Sequence, residues 1–196
     1  MKKNIIMLCL LIILIFVNAP GWTNEDSPNR LTVMKLIDQI PLSAETIKFC
    51  SVSPDGKHVI YVIRNNDKEF VLYEGEKEKL YDEILLGTPI FSPDSHSSAY
   101  VAREGNRWFV VLNGKEGKRY DKILENMLTF SQDSEHLAYI AAVDNALLVV
   151  VDGKESSKYH GDIHLKVDKK FFNAPDRFHY FVFEGHDVYY VEETII

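Results

Sequence analysis

VSPDGKHVIYVIRNNDKEFVLYEGEKEKLY (residues 52–81) comes back as FSPDSHSSAYVAREGNRWFVVLNGKEGKRY (91–120) and again as FSQDSEHLAYIAAVDNALLVVVDGKESSKY (130–159), three stretches that align without a gap at a spacing of 39 residues. Six columns are identical in all three: Ser53/Ser92/Ser131, Asp55/Asp94/Asp133, Tyr61/Tyr100/Tyr139, Val71/Val110/Val149, Gly75/Gly114/Gly153 and Tyr81/Tyr120/Tyr159. Unrelated segments of this length and average composition would share on the order of 0.2 such columns, so the chain is a repeat.

Each copy alternates strand and turn chemistry. The runs HVIYVI, SAYVA and HLAYIA are rich in Val, Ile, Ala and Tyr and are bounded by Ser, Pro, Asp and Gly, which predicts short strands. A second apolar run, FVLY, WFVVL or LLVVV, ends on EGEK, NGKE or DGKE, a Gly-containing hairpin turn with positive φ. Four strands fit one repeat: one before the SPD turn, one after it, one before the Gly turn and one after it. With their connections they use up the spacing and leave no room for a helix.

Successive apolar residues in the third strand, Phe109-Val110-Val111 and Val149-Val150-Val151, require both faces of the sheet to be covered. A two-layer sandwich would leave one face wet and show strict alternation. The expected fold is therefore all-β, a small β-propeller of about four four-stranded blades, with repeats near 48–86, 87–125 and 126–164 and a degenerate copy at 165–196. In that last copy Asn173-Ala174-Pro175-Asp176 stands in for the turn, and FHYFVF and DVYYVEE for two strands. It lacks the polar fourth strand. Upstream, LTVMKLI (31–37) has the length of one strand, and the expectation is that this N-terminal strand completes the last blade and closes the ring. The competing expectation is an open arc, with 31–37 a leader or short helix, that pairs with a second chain as a homodimer.

The turns Ser53-Pro54-Asp55-Gly56, Ser92-Pro93-Asp94-Ser95 and Ser131-Gln132-Asp133-Ser134, each followed by an apolar strand holding Ile-Tyr or Ala-Tyr, resemble the TolB-type propeller repeat, a relative of the WD-repeat blade. The likeness runs from about Ile47 to the C-terminus and departs from the pattern at Gln132. It implies a propeller fold and, as TolB-type propellers are generally interaction modules of the bacterial envelope, a protein partner there. Such turns specify fold far better than function.

Met1 to Gly21 reads as an export signal: Lys2 and Lys3, then an apolar run from Ile5 to Val17, then the small residues Ala19 and Gly21 before Trp22. The run is shorter than the roughly 20 residues a spanning helix needs. An uncleaved anchor is the alternative, favoured by Pro20, and lipid attachment at Cys9 is disfavoured by Leu8 before it. Trp22 to Arg30 is polar and aperiodic, a disordered leader, and 31–196 form the repeat domain. Expected localisation is periplasmic or secreted, with no stable membrane span once the signal is removed. Loss of Lys2 and Lys3 with no acid takes the formal charge from −7 to −9, which disfavours nucleic-acid partners. Cys50 then stands alone, excludes an internal disulfide and reads as a small core side chain.

The repeated aspartates Asp55, Asp94, Asp133 and Asp176 suggest a cation-binding ring, but every blade needs an Asp to cap its turn, and repetition favours architecture. Tyr61, Tyr100 and Tyr139 read as packing between blades. Tyr81-Asp82 and Tyr120-Asp121, with Tyr159 keeping the aromatic half, read as half-exposed and open to a protein contact. Of seven histidines, His160, His164, His179 and His186 fall late in the chain without metal-ligand spacing. No GxSxG, HExxH, phosphate loop or CxxC occurs, and Ser53, Ser92 and Ser131 recur as a unique nucleophile would not. No catalytic, cofactor or metal residue is therefore assigned, and no cofactor is expected. The expected function is a non-catalytic protein-binding or scaffold module of the envelope; the alternatives are an enzyme or carbohydrate-binding protein using a channel or top face, and a self-associating structural arc.

Overall fold

The computed structural model describes residues 46–160, 163–166 and 171–196, together with Leu36. The export signal, the leader and, apart from the exposed Leu36, the strand expected at 31–37 lie outside them. The described residues form antiparallel sheets and contain no helix, hence none long and apolar enough to cross a membrane. Sheet 1 is the meander β1 (Thr46–Val52), β2 (Val59–Asn65), β3 (Lys68–Tyr73) and β4 (Glu76–Lys77). Sheet 2 holds β5 (Glu83–Ile84), β6 (Ile90–Phe91), β7 (Ser98–Glu104), β8 (Arg107–Leu112) and β9 (Lys115–Glu116). Sheet 3 repeats this with β10 (Lys122–Ile123), β11 (Thr129–Phe130), β12 (Leu137–Val143), β13 (Ala146–Val151), β14 (Lys154–Glu155) and β15 (Tyr159–His160). Sheet 4 is β16 (Ile163–Lys166), β17 (Phe172–Ala174), β18 (Arg177–Glu184) and β19 (Asp187–Thr194).

The first strand of sheets 2 and 3 is broken. β5 and β6 both pair with β7, at its two ends. Between them the backbone bulges, and the Thr88 hydroxyl replaces the missing carbonyl by accepting the Val101 N–H at 3.0 Å. The hairpins after the third strand are as the glycines predict: Glu74 and Gly75 have φ 51° and 80°, Asn113 and Gly114 48° and 74°, Asp152 and Gly153 51° and 76°. Two successive positive φ values are the signature of the type I′ turn, whose twist matches that of the strands it joins.

The fourth strand is two residues long, swings out, and returns at a tyrosine. Tyr81 exchanges two backbone hydrogen bonds with Glu69, at 2.8 and 2.9 Å, and Tyr120 does the same with Trp108. The very next residue belongs to the next sheet: the N–H of Asp82 donates to Arg103 O at 2.9 Å and that of Asp121 to Ala142 O at 3.0 Å. The aspartate side chains secure the joint, since Asp82 Oδ2 accepts the Gly105 N–H at 2.6 Å and Asp121 Oδ2 that of Asp144 at 2.9 Å. A Tyr-Asp pair is thus a hinge pin, one residue fixed in each sheet.

Alternate residues of the central strands enter opposite seams, which is why the third strand is apolar without a break. Ile60, Val62, Val71 and Tyr81 of sheet 1 pack on Ile84, Tyr100, Ala102, Phe109 and Val111 of sheet 2. Ala99, Val101, Val110 and Tyr120 meet Leu137, Tyr139, Ala141, Leu148 and Val150 of sheet 3. On the far side of sheet 3, Ala138, Ile140, Val149 and Val151 meet Phe171, Phe178, Tyr180 and Val182. Each buried Val, Leu, Ile or Phe among them contributes about 1.5–3 kcal/mol. One tyrosine pair crosses every seam edge to face: Tyr81–Tyr100, Tyr120–Tyr139 and Tyr159–Tyr180, with centroids 6.1, 6.0 and 6.1 Å apart. The other face of sheet 1 buries Val59, Tyr61, Ile63 and Phe70 in a cluster of its own. Among the described residues no cluster joins sheet 4 to sheet 1.

The expectation that Tyr81, Tyr120 and Tyr159 are half-exposed contact residues is corrected for the first two, which are 2% and 0% exposed. A polar stretch around an aromatic reads as an outer edge, but the bridges Glu69–Tyr81 and Trp108–Tyr120 hold each ring against the next sheet's tyrosine.

Candidate functional site

The repeated turns are closed by the residues that recur. Ser53, Ser92 and Ser131 are buried and donate their hydroxyls to Asp55, Asp94 and Asp133 at 2.6, 2.5 and 2.5 Å. Each aspartate also accepts a backbone N–H two residues on, from Lys57, His96 or Glu135, and each serine one five residues on, from His58, Ser97 or His136. These bonds, the serine's first, hold all three carboxyls below the ordinary carboxylate value. Successive sheets are tied as well, the Asp55 N–H donating to Ser95 Oγ and that of Asp94 to Ser134 Oγ. Asp176 contributes through its backbone, its carbonyl accepting the Ile195 N–H at 2.7 Å. The aspartates are spent on turns rather than gathered in a ring. Replacing Ser92 by Ala removes the acceptor for the Ser97 N–H and the donor to Asp94; the expected result in urea denaturation is a loss of about 1–2 kcal/mol.

The late histidines are dispersed. His160 is exposed on β15, His164 lies on β16, His186 in the β18–β19 turn, and His179 is buried on β18 with its ring stacked on Tyr190 at 5.4 Å. Among the described residues no three His, Cys, Asp or Glu side chains gather as a metal site. Cys50 is half-buried on β1 beside the Tyr61 cluster. Tyr61, Tyr100 and Tyr139 are buried.

Two features break the repeat. Glu69 is a fully buried carboxylate in the column that holds Trp108 and Leu147. Its Oε1 accepts Lys48 Nζ at 2.6 Å and Arg64 Nη2 at 2.7 Å, and its Oε2 reaches across the seam to the Ile84 N–H at 2.8 Å. Burial pushes its carboxyl upward, but these partners outweigh it and the pKa lies below the ordinary value. One charged residue in an otherwise apolar column is the signal by which the sequence marks it.

The second is a groove of about 480 Å³ at the end of the seam between sheets 1 and 2, walled by Tyr73, Glu78, Lys79 and Tyr81 on one side and by His96, Ser98 and Asn113 on the other. Tyr100 donates its hydroxyl to Glu78 Oε2 at 2.5 Å, and burial together with this bond pushes the phenol far above its ordinary pKa. Lys79 is held by Glu116 at 2.8 Å and Glu104 at 3.3 Å. Asn113 is fixed, its Oδ1 accepting the Ser98 N–H at 2.9 Å.

A third feature is the outermost strand of sheet 4. β19 pairs with β18 alone among the described strands, and Val188, Tyr189 and Tyr190 on it are 60%, 48% and 55% exposed. Compared with known proteins, the chain matches no protein-family model and no curated protein.

Proposed function

We propose that the protein is a non-catalytic interaction module of the bacterial envelope, an exported arc of propeller-type blades related to the TolB repeat, which binds a partner protein along the outer strand of its last sheet. The observation that carries this is Val188-Tyr189-Tyr190, three large side chains exposed in succession on a strand that, among the described strands, pairs on one side. An open edge of this kind accepts an extended segment as an added strand, the backbone supplying affinity and alternate side chains specificity. Tyrosine is enriched among residues that dominate binding energy. Glu184, Asp187, Glu192 and Glu193 flank the stretch, so the complementary segment carries lysine or arginine. Meandering sheets stacked face to face across tyrosine-bridged seams are what propeller blades look like, and this supports the kinship.

A photo-crosslinking residue at position 190, introduced in cells, tests the reading. The expected result is one discrete adduct with another protein, absent when the probe sits at Glu125 and abolished by Val188→Asp. An adduct within the same chain to residues 31–37 would mean that the N-terminal strand fills the edge and closes the ring; an adduct between two copies would mean that the arc pairs with itself. Either would overturn the proposal.

A further inference from the structure

The groove between sheets 1 and 2 is built by two columns in which the first copy departs from its siblings. Tyr73 occupies the column of Leu112 and Val151, and Glu78 that of Gly117 and Ser156. Two substitutions therefore convert an ordinary seam end into a cup with an aromatic wall and a carboxylate at its base.

The charges in the cup do not cancel. Lys79 is already engaged by Glu104 and Glu116, as Lys118 is by Glu155 in the next seam. This lysine is thus part of the repeated seam rather than the counter-ion of Glu78. Glu78 is partly buried and, among the described residues, has no cation within ion-pair distance. Its known partner is the Tyr100 hydroxyl, a donor that fixes the carboxylate without neutralising it. Beside it Tyr73 lies half-buried, held edge to face against Phe91 at 6.0 Å. The space, about 480 Å³, falls within the range of small-ligand pockets. An aromatic ring beside an unneutralised carboxylate is the recognition chemistry of an organic cation.

We propose that this cup binds a primary ammonium group on an alkyl chain, with Glu78 as its counter-ion and the Tyr73 ring against its methylenes. A lysine side chain of another protein and a free aliphatic diamine share that chemistry. The inference is independent of the role assigned to the last sheet, because the groove shares no residue with it.

The repeat supplies variants that suit the fold: Glu78→Ser installs the third copy's residue and Tyr73→Leu the second copy's. The full chain is titrated by NMR with capped lysine (Nα-acetyl-lysine methylamide), with cadaverine and with glucose. Saturable millimolar binding of an ammonium ligand is expected, weakened about tenfold by Glu78→Ser and about threefold by Tyr73→Leu. Should Glu78→Ser fail to fold, Glu78→Gln removes the charge, keeps the acceptor for Tyr100 and is expected to weaken binding equally. Capped lysine binding in preference to cadaverine identifies a protein side chain as the source, and the reverse a free diamine; both support the site. No saturation up to roughly 20 mM, equal binding by wild type and the Glu78 variant, or binding of glucose alone would overturn it.

Discussion

Replacing Glu69 by Ala is expected to lower the unfolding free energy by about 2 kcal/mol, because the Ile84 N–H is left unpaired inside the seam, whereas Arg64 and Lys48 reach solvent and are rehydrated. Lys48 and Arg64 lose their shared acceptor, and the Ile84 N–H, buried in the seam, loses its carboxylate partner. Leu, the residue of the third copy at Leu147, fills the space without restoring those bonds and is expected to cost less than Ala. The effect carries a pH signature. The folded-state pKa of Glu69 lies below its ordinary value of 4.5, so the stabilisation is fully present above that value and is lost as pH falls through the lower folded one. Urea midpoints measured for wild type and Glu69→Leu should therefore converge on acidification. Parallel curves would show that the carboxylate contributes nothing through its charge.

Tyr100 gives the other large effect. Truncation to Ala empties the middle of the first seam, where the ring meets Tyr81 and lines the cluster with Phe109 and Val111, and a loss of about 4 kcal/mol is expected. Tyr100→Phe keeps the ring and removes only the hydroxyl donated to Glu78, which water can replace on the groove side; about 1 kcal/mol is expected. Chemical denaturation of the pair separates packing from hydrogen bonding. Equal losses would mean that the hydroxyl, and not the ring, holds the seam.

The course of the chain was legible where the physics is local. Positive φ at Gly75, Gly114 and Gly153, the hydrogen-bonded Ser-Asp turns and the doubly buried third strand all follow from residues a few positions apart. What was not legible depends on partners far along the sequence. Tyr81 and Tyr120 sit in polar company and read as surface residues; their burial is decided by Tyr100 and Tyr139, which wait in the following sheet. The first strand of sheet 2 breaks in two where a threonine hydroxyl satisfies the partner strand across a bulge, and no periodicity announces that. Glu69 and the Tyr73–Glu78 groove were visible only by difference, as residues that disagree with their own columns. Alignment for agreement finds the architecture and passes over the exceptions where a ligand would bind.

The hinge pin of Tyr81-Asp82 and Tyr120-Asp121 restricts how such a molecule can change size. With no slack between one sheet and the next, adding or deleting a single amino acid there would tear a tyrosine from its seam or an aspartate from its turn. Only insertions or losses of a whole 39-residue cassette, cut between that pair, preserve both attachments. At these joints descendants of this chain should therefore gain or lose whole blades, single-residue changes being left to the hairpin turns.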